Sequence, residues 1–180
     1  MILRPVGYAD LKAIAGLDTA YTTTHVWQME QRMAGEEIVT SFRTVRLPRP
    51  MKALTTEDLP SPTEAWRESD LFIVAEEGKD LLGYLRLKVE AGRKVGWINP
   101  VAVAPQHRRH GVASALVEEA KRWAQGRLNS LAAALPTKNY PAIKFFQRLG
   151  FTFCGFNDRY YPSGDIAVFF HLSLGEAAKG

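Results

Sequence analysis

Val101-Ala102-Val103-Ala104-Pro105-Gln106-His107-Arg108-Arg109-His110-Gly111-Val112-Ala113-Ser114 is the stretch on which the reading of this chain turns. A Val-x-Val strand leads into a helix from about Gly111 to Gln125, with apolar residues at 112, 113, 116, 117, 120, 123 and 124 forming one continuous face. No Ser, Thr, Asp or Asn precedes that helix to satisfy its first N–H groups. Arg108, Arg109 and His110 stand there instead, and positive charge at a helix start opposes the dipole by about 0.3–1 kcal/mol per charge. An external anion resolves both oddities. The free amides would hold phosphate oxygens, and Gly111 and Ala113 would let them approach the backbone. The plainer alternative is a solvated basic turn before an ordinary helix.

Upstream, Pro100 interrupts the strand Val95–Val103. Proline cannot donate to a ladder, so this strand either lies at an edge or breaks its pairing. The apolar residues on both of its faces favour a break, which leaves backbone groups free for a ligand. Further upstream, Leu71–Ala75 and Leu81–Val89 read as a hairpin about Glu77-Gly78-Lys79-Asp80. Downstream, Leu128–Leu135 is a strand. Asn139 caps a helix with Pro141 in its first turn and Gly150 at its stop. Phe151–Phe156 and Ile166–Leu174 close the chain as strands.

The N-terminal part begins with a strand over Ile2–Val6 and a helix from Asp10. Thr22, Thr23 and Thr24 are expected to cap a second helix over Val26, Trp27, Met29 and Met33. Glu36–Leu47 alternates as a strand, and residues 48–66, with four prolines, read as a long functional loop. The order predicts an α/β fold, a central mixed sheet with helices on both faces.

The 180 residues are 46% hydrophobic and 23% charged, which excludes a disordered or fibrous chain. No apolar run approaches the ~18 residues of a membrane span. Met1-Ile2-Leu3-Arg4-Pro5 has no signal-peptide pattern, so a cytoplasmic protein without a membrane partner is expected. The single cysteine, Cys154, excludes a disulfide and a cysteine-rich zinc site, and no metal is expected. Residues 1–90 carry 11 basic and 14 acidic side chains; residues 91–180 carry 12 and 5. The basic half suggests an anionic partner. Without an RNA-recognition or helix-turn-helix signature, nucleic acid is not the expected one.

Two motifs together resemble those of the GCN5-related N-acetyltransferases. They are Arg108-x-x-Gly111-x-Ala113 after its strand, and Asn139-x-x-Ala142-Ile143-x-Phe145-Phe146-x-x-Leu149-Gly150-Phe151. The likeness is good over about residues 70–175 and loose over the first 35; the end, Gly155-Phe156-Asn157-Asp158 with Asp165-Ile166-Ala167-Val168-Phe169-Phe170, more weakly resembles the streptothricin acetyltransferase branch. It implies an acyl-CoA N-acyltransferase fold, with residues 1–175 as one domain, 36–66 an insertion shaping the acceptor site and 176–180 a tail. It implies acetyl-CoA, or coenzyme A, as the acyl-donor ligand. Val101, Ala102 and Val103 would meet the pantetheine arm. The amides of Arg108, Arg109, His110, Gly111, Val112, Ala113 and Ser114 would take the pyrophosphate. Asn139 would bond pantetheine beside Ala142, Phe145 and Phe146.

The resemblance further implies transfer of the acetyl group to a primary amine of a small molecule, by direct attack. A peptide amine acceptor and a catalytically silent acyl-CoA-binding module are the alternatives, and a homodimer is left open. The family's usual Tyr acid is Phe146 here, and the neighbourhood of its usual Glu reads Ile98-Asn99-Pro100. Asn99 can orient a water but cannot accept a proton. Tyr160 and Tyr161 are the substitute acids. Glu76, Glu77, Glu90, Asp158, His25 and His171 are the remaining bases. Trp27, Trp97 and Trp123 are expected in the core, whereas Trp66 could line a pocket. A strand cysteine is usually inert core, which is the expectation for Cys154.

Overall fold

The computed structural model describes residues 1–54 and 60–175. Among them are nine strands: β1 (Ile2–Pro5), β2 (Tyr21–Ala34), β3 (Glu37–Ala53), β4 (Leu71–Glu77), β5 (Asp80–Glu90), β6 (Val95–Val103), β7 (Ser130–Pro136), β8 (Thr152–Asn157) and β9 (Ala167–Ser173). The helices are α1 (Leu11–Ala15), α2 (Pro62–Glu68), α3 (Val112–Ala124) and α4 (Tyr140–Arg148). Seven strands form one sheet in the order β1-β4-β5-β6-β7-β9-β8. Only β6 and β7 run parallel within it, because α3 is the crossover between them.

Alternation along the strands sends side chains to two faces. On one face Phe72, Val74, Tyr84 and Ala102 pack under Leu11, Ile14 and Ala65 of α1 and α2. On the other, Ile73, Leu85, Leu87, Ile98, Leu131 and Phe170 pack under Leu116, Val117 and Ala120 of α3 and Ile143 and Phe146 of α4. Each such Leu, Ile or Phe contributes about 1.5–3 kcal/mol through burial. The mixed sheet with helices on both faces is therefore as the sequence predicts.

The expected second helix is absent. Thr22 to Met33 belong instead to β2, which pairs antiparallel with β3 from Tyr21↔Ala53 to Ala34↔Glu37 as a separate two-stranded sheet. The spacing of Val26, Met29 and Met33 suits a helix. However, the Thr and aromatic residues favour strand, and Gly35 at φ 65° supplies a tight turn to Glu37. The long loop is also shorter than expected, since β3 runs on to Ala53. Pro48 and Pro50 are tolerated there because β3 pairs on one side only, and a bulge opens the ladder between Thr23 and His25. The rest of the expected loop includes residues 55–59, outside the described residues, and α2. Ser61 and Glu64 cap α2 reciprocally, the Ser61 amide donating to Glu64 Oε2 at 2.9 Å and the Glu64 amide to Ser61 Oγ at 3.3 Å. The tail 176–180 is likewise outside the described residues.

Candidate active site

β6 and β7 pair only from Val95↔Ser130 to Ile98↔Ala133. Beyond Ile98, β6 stays with β5 as far as Gly83↔Val103, while β7 follows β9 to Pro136↔Ala167. The two strands part at Asn99-Pro100, where proline has no N–H to offer. A cleft of about 860 Å³ opens in the gap. Gly83 lets β5 follow β6 here, because a Cβ at that position would stand 2.5 Å from the Ala102 carbonyl oxygen.

The turn before α3 forms one end of the cleft. Arg109 (φ 67°) and Gly111 (φ 83°) both adopt the left-handed region, folding the backbone back at the helix start. Gly111 is the N-cap and provides no side-chain bond; the Ala115 amide donates to its carbonyl at 2.9 Å. The amides of Val112, Ala113 and Ser114 precede that first intrahelical bond, so they lack helical acceptors. The Arg108 side chain has a different task. Its guanidinium donates to the carbonyls of Val103 (2.9 Å), Ala20 (2.6 Å) and Asp18 (2.9 Å), fastening the turn to the start of β2.

The opposite wall is α4. Asn139 is buried and its side-chain oxygen accepts from the Ala142 amide at 3.2 Å, so the carbonyl side of this residue is spent on the cap. Ala142, Phe145 and Phe146 line the cleft together with Val101, Ala102 and Val103. Phe146 is 1% exposed and stacks edge-on against Phe145 and Phe151.

Most of the residues singled out in the sequence converge on this cleft, including Arg108, Arg109, Gly111 to Ser114, Asn99 and Tyr161. His110 and Tyr160 lie outside its lining; Tyr160 stacks on Tyr161 and Phe169 and is 46% exposed. Among the other bases, Glu76 is paired with Arg4 at 2.6 Å and Glu77 with the N-terminus at 3.1 Å. His25 lines the cleft, bonded to Thr24 and stacked on Tyr140. Glu90 borders a second cavity of about 410 Å³ with Arg86, Lys88, Val89 and Trp97, and Asn99 borders both cavities. Glu90 accepts from Trp97 Nε1 at 3.3 Å through one carboxylate oxygen and pairs with Arg93 at 3.0 Å through the other.

Asp158 and His171 do not border either cavity. Trp66 sits on α2, donating to the Val6 carbonyl, and lines neither. Cys154 is exposed on β8 rather than buried, a correction to the core expectation, and desolvation raises its thiol pKa.

The residues that sequence reasoning missed come from β2 and α4. Thr19 and Tyr21 to Thr24 roof the cleft beside His25, held there by the Trp27 amide donating to the Thr137 carbonyl at 2.9 Å. Reading this segment as a helix concealed that role. Tyr21 Oη is buried with no hydrogen-bond partner among the described residues. Burial first, and the Asp165 carboxylate second, raise its pKa and keep it protonated. Lys144 and Arg148 also line the cleft; their i, i+4 spacing on α4 was the available signal.

Comparison with known proteins fits this geometry. The acetyltransferase (GNAT) family matches residues 36–151. The chain is 28% identical over 158 residues to the streptothricin acetyltransferase of Streptomyces lavendulae, covering 84% of this chain and 82% of that protein. The crystal structure of a nourseothricin acetyltransferase superposes with a TM-score of 0.80 at 26% identity, over 96% of this chain and 98% of that one. A protein of Bacillus anthracis str. Ames assigned as a streptothricin acetyltransferase, solved in complex with acetyl coenzyme A, shares the fold at a TM-score of 0.78 and 19% identity, over 96% and 97%. With both motifs folded onto one cleft and more than half its length matched, the chain belongs to the acetyltransferase (GNAT) family and is an acetyl-CoA-dependent acetyltransferase.

Proposed function

We propose that this enzyme acetylates a primary amine on a small molecule by direct attack in a ternary complex. The observation that carries the reading is that Asn99 borders both the cofactor-sized cleft and the second cavity, which also holds Glu90. The first is suited to acetyl-CoA, with phosphates on the amides of the Arg108–Ser114 turn and pantetheine along the unpaired stretch of β6. The second is suited to an acceptor. Similarity over 84% of this chain to an enzyme named for streptothricin supports a small-molecule amine over a peptide.

An amine of ordinary pKa ~10.4 is protonated at pH 7 and must shed a proton before it attacks. A water oriented by Asn99 takes that proton, and Glu90, which borders the same second cavity, is the carboxylate that can receive it. The amine nitrogen bonds to the acetyl carbon, the carbon–sulfur bond breaks, and coenzyme A departs as a thiolate. A thiolate with pKa ~8.5 leaves without obligatory protonation, so a phenylalanine at 146 is tolerable. Tyr161, which lines the cleft, offers a hydroxyl to assist.

Initial-rate kinetics over a panel of amines tests this. Intersecting lines with both substrates varied, and a rate that rises with pH without falling until well above pH 9, are expected. Parallel lines with a trapped acetyl-Cys154 would refute direct attack. Tight acetyl-CoA binding without turnover of any amine would instead identify a silent binding module, and turnover of peptides alone a protein acetyltransferase.

A further inference from the structure

The cleft is built for more negative charge than a pyrophosphate carries. Among the described residues no Asp or Glu lines it, while Arg108, Arg109, Lys144 and Arg148 do. Arg108 is committed to three backbone carbonyls. Arg109, Lys144 and Arg148 have no ion pair or hydrogen bond among the described residues, whereas Lys121, Arg122 and Lys138 nearby in sequence are each paired with a carboxylate. Lys144 and Arg148 stand one turn apart on α4, on the side that faces the cleft rather than the core formed by Ile143 and Phe146. Arg148, in the last turn of α4, is also favoured there by the helix dipole, but Lys144 in mid-helix is not.

The acyl donor carries two kinds of phosphate. Its pyrophosphate bears about one charge per phosphorus and is answered by the α3 amides and Arg109. The phosphomonoester on its ribose approaches two charges at pH 7, as monoesters with a second pKa near 6 do. The amides of one helix start cannot serve both groups. We infer that Lys144 and Arg148 form a separate seat for the ribose 3′-phosphate of coenzyme A, by which the enzyme distinguishes coenzyme A from its 3′-dephospho form. This rests on the assignment of the cleft to acetyl-CoA.

Calorimetry with coenzyme A and 3′-dephospho-coenzyme A tests the seat without recourse to turnover. The wild type binds coenzyme A at least tenfold more tightly, about 1.4 kcal/mol. Lys144→Gln/Arg148→Gln, on an exposed helix face and expected to fold, loses that preference through weaker binding of coenzyme A, with affinity for the dephospho form unchanged. Raising the salt narrows the preference in the wild type and has little effect on the double variant's ratio. Equal affinities in the wild type, or an equal loss for both ligands in the double variant, would overturn the seat while leaving the cleft assignment standing. Failure of the wild type to bind either ligand would overturn the cleft assignment and the seat with it.

Discussion

Arg108 and Arg109 are adjacent and alike in charge, yet they have different physical roles. Arg108 satisfies three carbonyls from two segments, so Arg108→Ala leaves those oxygens without their charged donor. A loss of about 1.5–3 kcal/mol of unfolding free energy is expected from urea denaturation. Arg109 is exposed in its left-handed turn and unpaired among the described residues, and Arg109→Ala should weaken acetyl-CoA binding far more than it weakens the fold. At Phe146 the aromatic ring is packed against two others, so Phe146→Tyr is expected to lower the melting temperature. It should leave kcat within about threefold, under ~0.7 kcal/mol. A large gain in kcat would mean that departure of the thiolate needs a proton after all. Cys154 has a raised thiol pKa and lies outside the cleft lining, so Cys154→Ala should retain most activity with no acetyl-enzyme in the wild type by mass spectrometry.

At the scale of elements, Arg4 on β1 ties the first turn of the chain to β4. It donates to both oxygens of Asp10, at 2.7 and 2.9 Å, and to Glu76 at 2.6 Å. The Arg4 side chain holds the Asp10 carboxyl below its ordinary 3.8, with the Gly7 amide adding to the effect. A depressed carboxyl pKa contributes stability that is fully present above the unfolded value and is lost as pH falls through the folded one. Asp10→Asn should therefore destabilise the protein at pH 7, and the gap from wild type should close progressively below about pH 4. A gap that stays constant down to pH 2 would show that the pair contributes nothing through ionisation.

The elements also differ in how far they could be read from sequence. α3 and α4 were legible because each carries its apolar stripe with an unambiguous end signal, Gly111 in one case and Asn139 with Pro141 in the other. The parting of β6 from β7 was legible from Pro100. β2 was not, because Val26, Met29 and Met33 fit a helical period while the partner that stabilises the strand lies across a turn. The same helical period hid Tyr21 to Thr24 from the site. Pairing with β3 and the bond from Trp27 to Thr137 place them over the cleft, and tertiary contacts of that kind leave no local period.

Across the whole molecule, the excess charge of residues 91–180 is drawn toward one feature. Arg108, Arg109, Lys144 and Arg148, four of its 12 basic side chains, line the cleft between β6, α3 and α4, and no described acid opposes them there. That concentration, beside the amides at the start of α3, is where the acyl donor is proposed to sit. Saturating acetyl-CoA, at about 100 times its dissociation constant, should accordingly stabilise the fold by about 2.7 kcal/mol. The most direct measurement is calorimetric titration of acetyl-CoA into the wild type and Gly111→Glu, with circular dichroism to establish that the variant is folded. Glutamate there puts a side chain and a negative charge at the start of α3, in a left-handed conformation that only glycine adopts freely. A saturable isotherm is expected for the wild type and none for a folded Gly111→Glu; a folded variant that binds acetyl-CoA as the wild type does would contradict this placement of the acyl donor.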